Sequence, residues 1–211
     1  MSSLHFEVLD SKRLKVFHAL AKLTKRGLLG GGTALALYVG HRRSHDFDIF
    51  LKTPIEQGLL NKINKILPKF DIRPSVDTPN ELSIFLDNQI KLTFLHFPFL
   101  PLYKPTSTIS ISLYSIPDLA SNKVYVIGRR GEWKDYVDLY FLLRKGLAID
   151  KIITEAKKRF TGNFDERIFW EQLVYWKDLR SFKVEYIKET VAKEEIQKYF
   201  EEITNNKLRA L

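Results

Sequence analysis

Two aspartates, Asp46 and Asp48, stand one residue apart in the alternating run Asp-Phe-Asp-Ile-Phe-Leu at 46–51. In a strand, side chains at i and i+2 share a face, so both carboxylates point one way while Phe47 and Ile49 point into a core. Their Cα atoms lie about 7 Å apart, close enough for both side chains to lean onto one hard cation. Mg2+ (or Mn2+) takes oxygen ligands, accepts one or two protein carboxylates and completes its shell with water and substrate phosphates. Taken alone, the pair is as readily two solvated acids at a strand end. Its company says more. Upstream, Gly30, Gly31 and Gly32 run into Thr33 at the start of the apolar stretch 34–39. Backbone amides at such a helix start, with the helix dipole, suit a phosphate, and Thr33 can cap the helix and offer its hydroxyl to the same anion. Arg42 and Arg43 form a basic loop between the two motifs. That order places a triphosphate cradle beside a metal site.

Composition narrows the chemistry further. The chain has 211 residues, 34 Lys and Arg against 25 Asp and Glu, a formal net charge of +9, and no cysteine. A disulfide scaffold, thiolate zinc, iron–sulfur ligation and a cysteine nucleophile are therefore excluded. The five histidines form no ligand cluster by spacing; His41 and His45 flank the basic loop, where either could touch a phosphate or simply be a loop residue. The surplus of cations raises the question of an anionic partner. The patches Lys25-Arg26, Arg42-Arg43, Lys62/Lys65/Lys69 and Lys157-Lys158-Arg159 could form an RNA track, although a solvated helix face explains each one singly. The N-terminus has no apolar run of signal-peptide length, and no stretch approaches the roughly 18 apolar residues of a membrane span. A cytoplasmic protein without membrane partners is expected.

The elements that must position these residues follow from periodicity. A first helix is expected over about 11–26, capped by Asp10 or Ser11. A short apolar strand leads to the glycine turn, a helix follows it, and 46–51 is the second strand. Residues 56–69 read as a helix, 70–76 as a strand, and 82–86 and 90–97 as a hairpin around Asp87-Asn88-Gln89. Pro98, Pro101 and Pro105 make 97–114 a loop that ends in an edge strand near 109–113. Beyond 116 only helices are expected, at 117–127, 133–145, 150–160, 165–179 and 188–204. The fold class is α+β: a mixed sheet with helices at 1–115, then an all-helical region at 116–211 packed on it. Trp133, Trp170 and Trp176 with Phe164, Phe169 and Tyr175 read as helical core rather than as a stacking platform.

The segments GGTALALYVGHRRSHDFDIF, IKLTFLHFP and IPDLASNKVYVIGRRGEWKDYVDLYFLL, with their spacing, resemble the AbiEii/AbiGii family of nucleotidyltransferase toxins over about residues 15–180. Its recurring motifs fall here on Gly31, Gly32, Thr33, Asp46 and Asp48, then Lys91, then Asp118 and Lys123, then Lys134, Asp135 and Asp138. The resemblance implies a nucleotidyltransferase fold, a nucleoside triphosphate substrate, a divalent metal, a toxin role and an antitoxin partner. Transfer of a nucleotide needs a metal, cations for the leaving pyrophosphate and a base for the attacking hydroxyl. Asp46 and Asp48 would hold the metal, Lys91 or Lys123 would supply positive charge, and Asp135 or Asp138 would be the base or orient a lysine. An ion pair of Asp135 with Arg129, Arg130 or Lys134 is the competing possibility. Many members of the wider superfamily carry a third carboxylate on the neighbouring strand, whereas Lys91, Thr93 and Leu95 share that face here. Either one metal suffices, or Asp138 approaches to replace the acid, or the site binds nucleotide as a regulatory module without turnover. The acceptor expected from the basic charge is RNA, the tRNA acceptor end foremost; a small molecule or protein side chain is the alternative.

Overall fold

A computed structural model describes residues 4–209 apart from 25, 130 and 180. Lys25 and Arg130, named above, lie outside the described residues. Helix α1 (Ser11–Leu23) starts where the Asp10 carboxylate accepts the backbone N–H of Arg13 at 2.8 Å, and it buries Val16, Phe17, Leu20 and Leu23. It stops short of residue 26 because Thr24 turns extended. Strand β1 (Leu28–Leu29) leads into α2 (Gly31–Val39), which is apolar all round and ends at left-handed Gly40. After β2 (Phe47–Leu51) come α3 (Leu59–Ile66), shorter than its apolar pattern, then β3 (Ile72–Asp77), β4 (Glu81–Leu86) and β5 (Ile90–His96). Asp87 and Asn88 adopt φ of 52° and 55° at the β4–β5 turn, the backbone that a tight hairpin requires.

The five strands form one mixed sheet in the order β1-β2-β5-β4-β3. Strands β2 and β5 run parallel, with Asp48 opposite Thr93 and Phe47 opposite Leu92, while the other neighbours are antiparallel. This register decides the site. Asp46 stands one residue ahead of the first ladder pair, beside Lys91. The α+β class expected from the sequence is what the chain forms.

Helices α4 (Ile116–Ile127), α5 (Trp133–Arg144), α6 (Ile149–Arg159), α7 (Glu166–Leu173) and α8 (Lys193–Arg209) follow. α4 is capped by the Ser115 hydroxyl, with Pro117 in its first turn, and it packs on α2, α5 and α6. One buried apolar core takes in residues of the sheet, α2 and these helices alike.

Two expectations are corrected. Residues 109–113 form no strand; Leu113 makes only isolated bridges to Leu29 and Thr106, too little to extend the sheet. And the last two helices are not separated by a short break: α7 ends at Leu173 and α8 begins at Lys193. The intervening segment runs back to the basic loop, where the Arg43 N–H donates to the Glu185 carbonyl (2.8 Å) and the Ile187 N–H to the His41 carbonyl (3.0 Å). Long-range backbone pairing overrides helix propensity there. The alternation of Phe182, Val184 and Tyr186 was the local signal for it.

Candidate active site

The glycine turn is built around two side chains that press against its backbone. Gly31 has φ +62°, and a Cβ there would lie 2.3 Å from Asp48 Oδ2. At Gly32 a Cβ would lie 2.3 Å from Arg42 Nη2 and 3.6 Å from Asp138 Oδ2. The two glycines thus seat a carboxylate and a guanidinium directly on the first turn of α2, whose leading amides have no intrahelical partner. Thr33 departs from its expected part. The N-cap is Gly30, and the buried Thr33 hydroxyl bonds the Asp46 carbonyl and the Ser44 hydroxyl. It anchors Asp46 to the helix rather than facing an anion.

Asp46 and Asp48 are both half-buried. Asp46 Oδ1 accepts the Lys91 backbone N–H at 3.2 Å, so Lys91 meets the site through its main chain. Among the described residues no group of three or more His, Asp or Glu is arranged to hold a metal. A pair of carboxylates that keep partial access to solvent does fit Mg2+, which retains water and takes phosphate oxygens for the rest of its shell. Gly31, where a Cβ would collide with Asp48 Oδ2, lets the carboxylate lie against the turn and supports the same fit.

The helical half contributes a second, buried charge cluster. Asp138, 1% exposed, accepts from His41 Nε2 (2.7 Å) and Arg42 Nε (2.7 Å) at one oxygen and from Arg42 Nη2 (2.9 Å) and Lys123 Nζ (2.6 Å) at the other. Lys123 Nζ also meets Asp135 Oδ1 at 2.6 Å. Burial alone would push the Asp138 pKa up, but Arg42 and Lys123 hold it well below the ordinary carboxylate value. Burial works against charge on Lys123 too, and Asp135 with Asp138 raises its pKa nonetheless. His41 goes the other way: burial lowers its pKa although Asp138 opposes the shift.

This arrangement revises several roles. With four donors on two oxygens, Asp138 has filled its acceptor capacity and does not approach as a third metal ligand. Arg42 and Lys123 are cations committed to it, buried under the glycine turn, and Asp135 pairs with Lys123 rather than with Arg129 or Lys134. Arg159, expected on a surface track, is buried on Asp118, Ser121 and Leu100. Asp118 itself accepts the backbone N–H groups of Leu102 and Tyr103 and so pins the proline loop. Lys62 reaches back to the Leu23 carbonyl.

An open cleft of about 1270 Å³ adjoins the basic loop. Arg42, Arg43 and His45 form one wall, Trp133 and Lys134 at the start of α5 another, and the returning segment 181–185 a third. Its described lining carries five Arg and Lys side chains against three Asp and Glu. Arg43 Nε pairs with Glu185 Oε1 at 2.8 Å, and His45 Nε2 lies 3.6 Å from Glu185 Oε2. Lys134, exposed, is 3.9 Å from Glu132. Trp133 is both core and cleft wall, stacked edge-on to Trp176 and Phe182, whereas Tyr175 is 40% exposed and not core. Sequence reasoning missed the parts played by His41, Ser44 and Glu185; only the alternation around Glu185 left a trace.

With this geometry in view, comparisons give a consistent picture. The family described as Nucleotidyl transferase AbiEii toxin, Type IV TA system, matches residues 16–209. An uncharacterized protein of Aquifex aeolicus (strain VF5) is 32% identical over 196 residues, 88% of each chain. Among solved structures, MenT4, a nucleotidyltransferase toxin of Mycobacterium tuberculosis, aligns with a TM-score of 0.61 at 10% identity over 90% of this chain and 80% of its own. JHP933 from Helicobacter pylori aligns at 0.58 and 17% identity over 99% and 96%. Those two likenesses are of fold. No described helix is long and apolar enough to cross a membrane.

Proposed function

The chain belongs to the AbiEii nucleotidyltransferase toxin family, and from that premise we propose that it uses Mg2+ (or Mn2+) to transfer a nucleoside monophosphate from a triphosphate to a hydroxyl of RNA, the tRNA acceptor end foremost. The acceptor oxygen attacks the α-phosphorus, the α–β phosphoanhydride breaks, and pyrophosphate leaves. The observation that carries the acceptor is the cationic cleft beside the basic loop, whose lining residue His45 immediately precedes Asp46 in the chain. A polyanion lying there is attracted by the excess of Arg and Lys in the lining.

Asp46 and Asp48 would hold the divalent ion, which would supply positive charge to offset that developing on the leaving group. Gly31, Gly32 and Thr33 lend main-chain amides to the triphosphate at the start of α2. Arg42, Lys123, Asp135 and Asp138 act beneath them as positioning residues, fixing the turn against α4 and α5. Lys91 contributes by its main-chain contact to Asp46, while Arg43 and Lys134 serve the cleft. The purely regulatory role gives way to family membership.

Incubating the purified chain with each α-labelled triphosphate, Mg2+ and total RNA, followed by gel separation, tests this. Labelled RNA is expected, falling roughly 1000-fold with Asp48→Asn, the rate equivalent of about 4 kcal/mol. Undiminished labelling by Asp48→Asn refutes the metal assignment. Labelling that survives RNase pretreatment of the extract moves the acceptor to a small molecule or protein side chain. The type IV toxin–antitoxin description of the family adds that expression should arrest host growth and that a neighbouring gene product should relieve it.

A further inference from the structure

Asp46 is held less directly than Asp48. It stands ahead of the β2–β5 ladder, so no sheet pairing fixes its backbone. Its carboxylate takes the Lys91 N–H, and Lys91 lies at the start of β5, just past the hairpin turn. The position of this carboxylate therefore depends on the Thr33 hydroxyl at its carbonyl and on how the basic loop is set against that turn.

One side chain spans the two. Arg13, on α1, donates through Nε to the His45 carbonyl (3.0 Å) and through Nη2 to the Gln89 carbonyl (3.0 Å). Its Nη1 pairs with the Asp10 carboxylate, which also caps α1 by accepting the Arg13 main-chain N–H. His45 immediately precedes Asp46, and Gln89 is two residues before Lys91. The Arg13 side chain is 12% exposed, while Asp10, His45 and Gln89, which it ties together, lie at the surface. Its partners are distributed around a planar fork; a lysine ammonium, a single point donor on a flexible stem, does not reproduce that geometry.

We propose that Arg13 is a positioning residue of the transfer site, locking the peptide before Asp46 to the turn before Lys91 so that the Asp46 carboxylate is preset for the divalent ion. This rests on the assignment of Asp46 and Asp48 as metal ligands made above. Partners that orient a ligand in this indirect way typically matter by about 10- to 100-fold in metal affinity or activity.

The test uses the full chain and Mn2+ as probe, with affinity read by calorimetry, alongside nucleotide transfer and thermal melting. Four variants are compared with the unaltered protein: Arg13→Lys, Asp10→Asn, Asp48→Asn and Lys12→Met. Lys12 reaches Asp87 in the same hairpin turn at 3.4 Å from an exposed position and controls for general loosening of the turn. Arg13→Lys should weaken Mn2+ binding about 10-fold and lower kcat at limiting metal, with the KM for acceptor unchanged and a melting temperature within the range of Lys12→Met. Asp10→Asn, which keeps a helix cap but removes the charge that aligns the guanidinium, should show a smaller loss in the same direction. Binding by a folded Arg13→Lys equal to that of the unaltered protein, with Asp48→Asn weakened, overturns the Arg13 role and leaves the metal site standing. Should Arg13→Lys fail to fold, Asp10→Asn decides by the same comparison. Equal binding by Asp48→Asn and the unaltered protein overturns the metal assignment and this proposal with it.

Discussion

Two pairs of aspartates lie on opposite sides of the glycine turn. Asp46 and Asp48 sit at the sheet end, half-buried, against a backbone stripped of side chains. Asp135 and Asp138 sit on α5, the latter sealed under His41, Arg42 and Lys123. The residue type is the same and the motif spacing similar, yet one pair stands half-buried at the sheet end while the other is buried against protein cations. A carboxylate in a motif is therefore not a ligand by virtue of the motif; its surroundings decide whether it faces substrate or holds the frame.

The largest effect that can break this contrast is on stability. Asp138→Asn leaves Arg42 and Lys123 buried with only Asp135 to offset them, and removing one partner of a buried pair costs about 3 to 5 kcal/mol. For a chain of this size that corresponds to roughly 10 °C in melting temperature. Asp48→Asn, by contrast, should abolish transfer with little change in melting. Because the folded-state pKa of Asp138 is depressed, its contribution is complete above the unfolded carboxylate value of about 4 and disappears as pH falls through the folded value. The Asp138→Asn deficit should thus persist through neutral pH and close only in acid. Adding Lys123→Met to Asp138→Asn should recover part of the loss; a double variant worse than the single one would show that the cluster is not governed by its charge balance.

What the sequence made legible divides along the same line. The strand alternation of 46–51, the glycine turn and the β4–β5 hairpin are local patterns, and they appear where their periods put them. The partners of Asp138 come from α4 and from the loop after α2, and no period links residues 41, 42, 123 and 138. Thr33 shows the limit at a single residue: a hydroxyl at a helix start reads as a cap, but the Ser44 hydroxyl and the Asp46 carbonyl stand within reach and capture it. The return of 181–187 to the basic loop was hidden for the reverse reason. A short alternating run lies between two helical stretches, expected at 165–179 and 188–204, and reads by itself only as the connection between them.

Gly31→Ala sharpens the comparison from the open side. A side chain at φ +62° costs about 1 to 2 kcal/mol, and the new methyl would have to displace Asp48 Oδ2. A shift of about 1 Å in a reacting group can cost about 100-fold in rate. Transfer should therefore fall about 100-fold while the protein stays folded and loses only a few degrees of melting temperature. Equal activity in this variant would mean that the Asp48 carboxylate has freedom the turn does not restrict, and the distinction between a preset pair and a sealed pair would weaken.

The smallest expected effect lies in the one titratable member of the sealed cluster near neutral pH. His41 donates Nε2–H to Asp138 in its neutral form, leaving Nδ1 buried without a described partner. Burial lowers its pKa below the ordinary value, so the unfolded chain takes up a proton that the folded cluster resists. Stability then rises with pH through this window and falls as pH drops below about 6.5, with a slope of at most about 1.4 kcal/mol per pH unit. His41→Gln retains an N–H for Asp138 and has no proton to gain, so its denaturant midpoint should be flatter between pH 6.5 and 5. Over that range Asp138 remains ionised in both proteins, and any difference in slope belongs to the imidazole alone. Parallel slopes would mean that the cluster accommodates an imidazolium beside Arg42 and Lys123, and that Asp138 carries more negative field than its three partners consume.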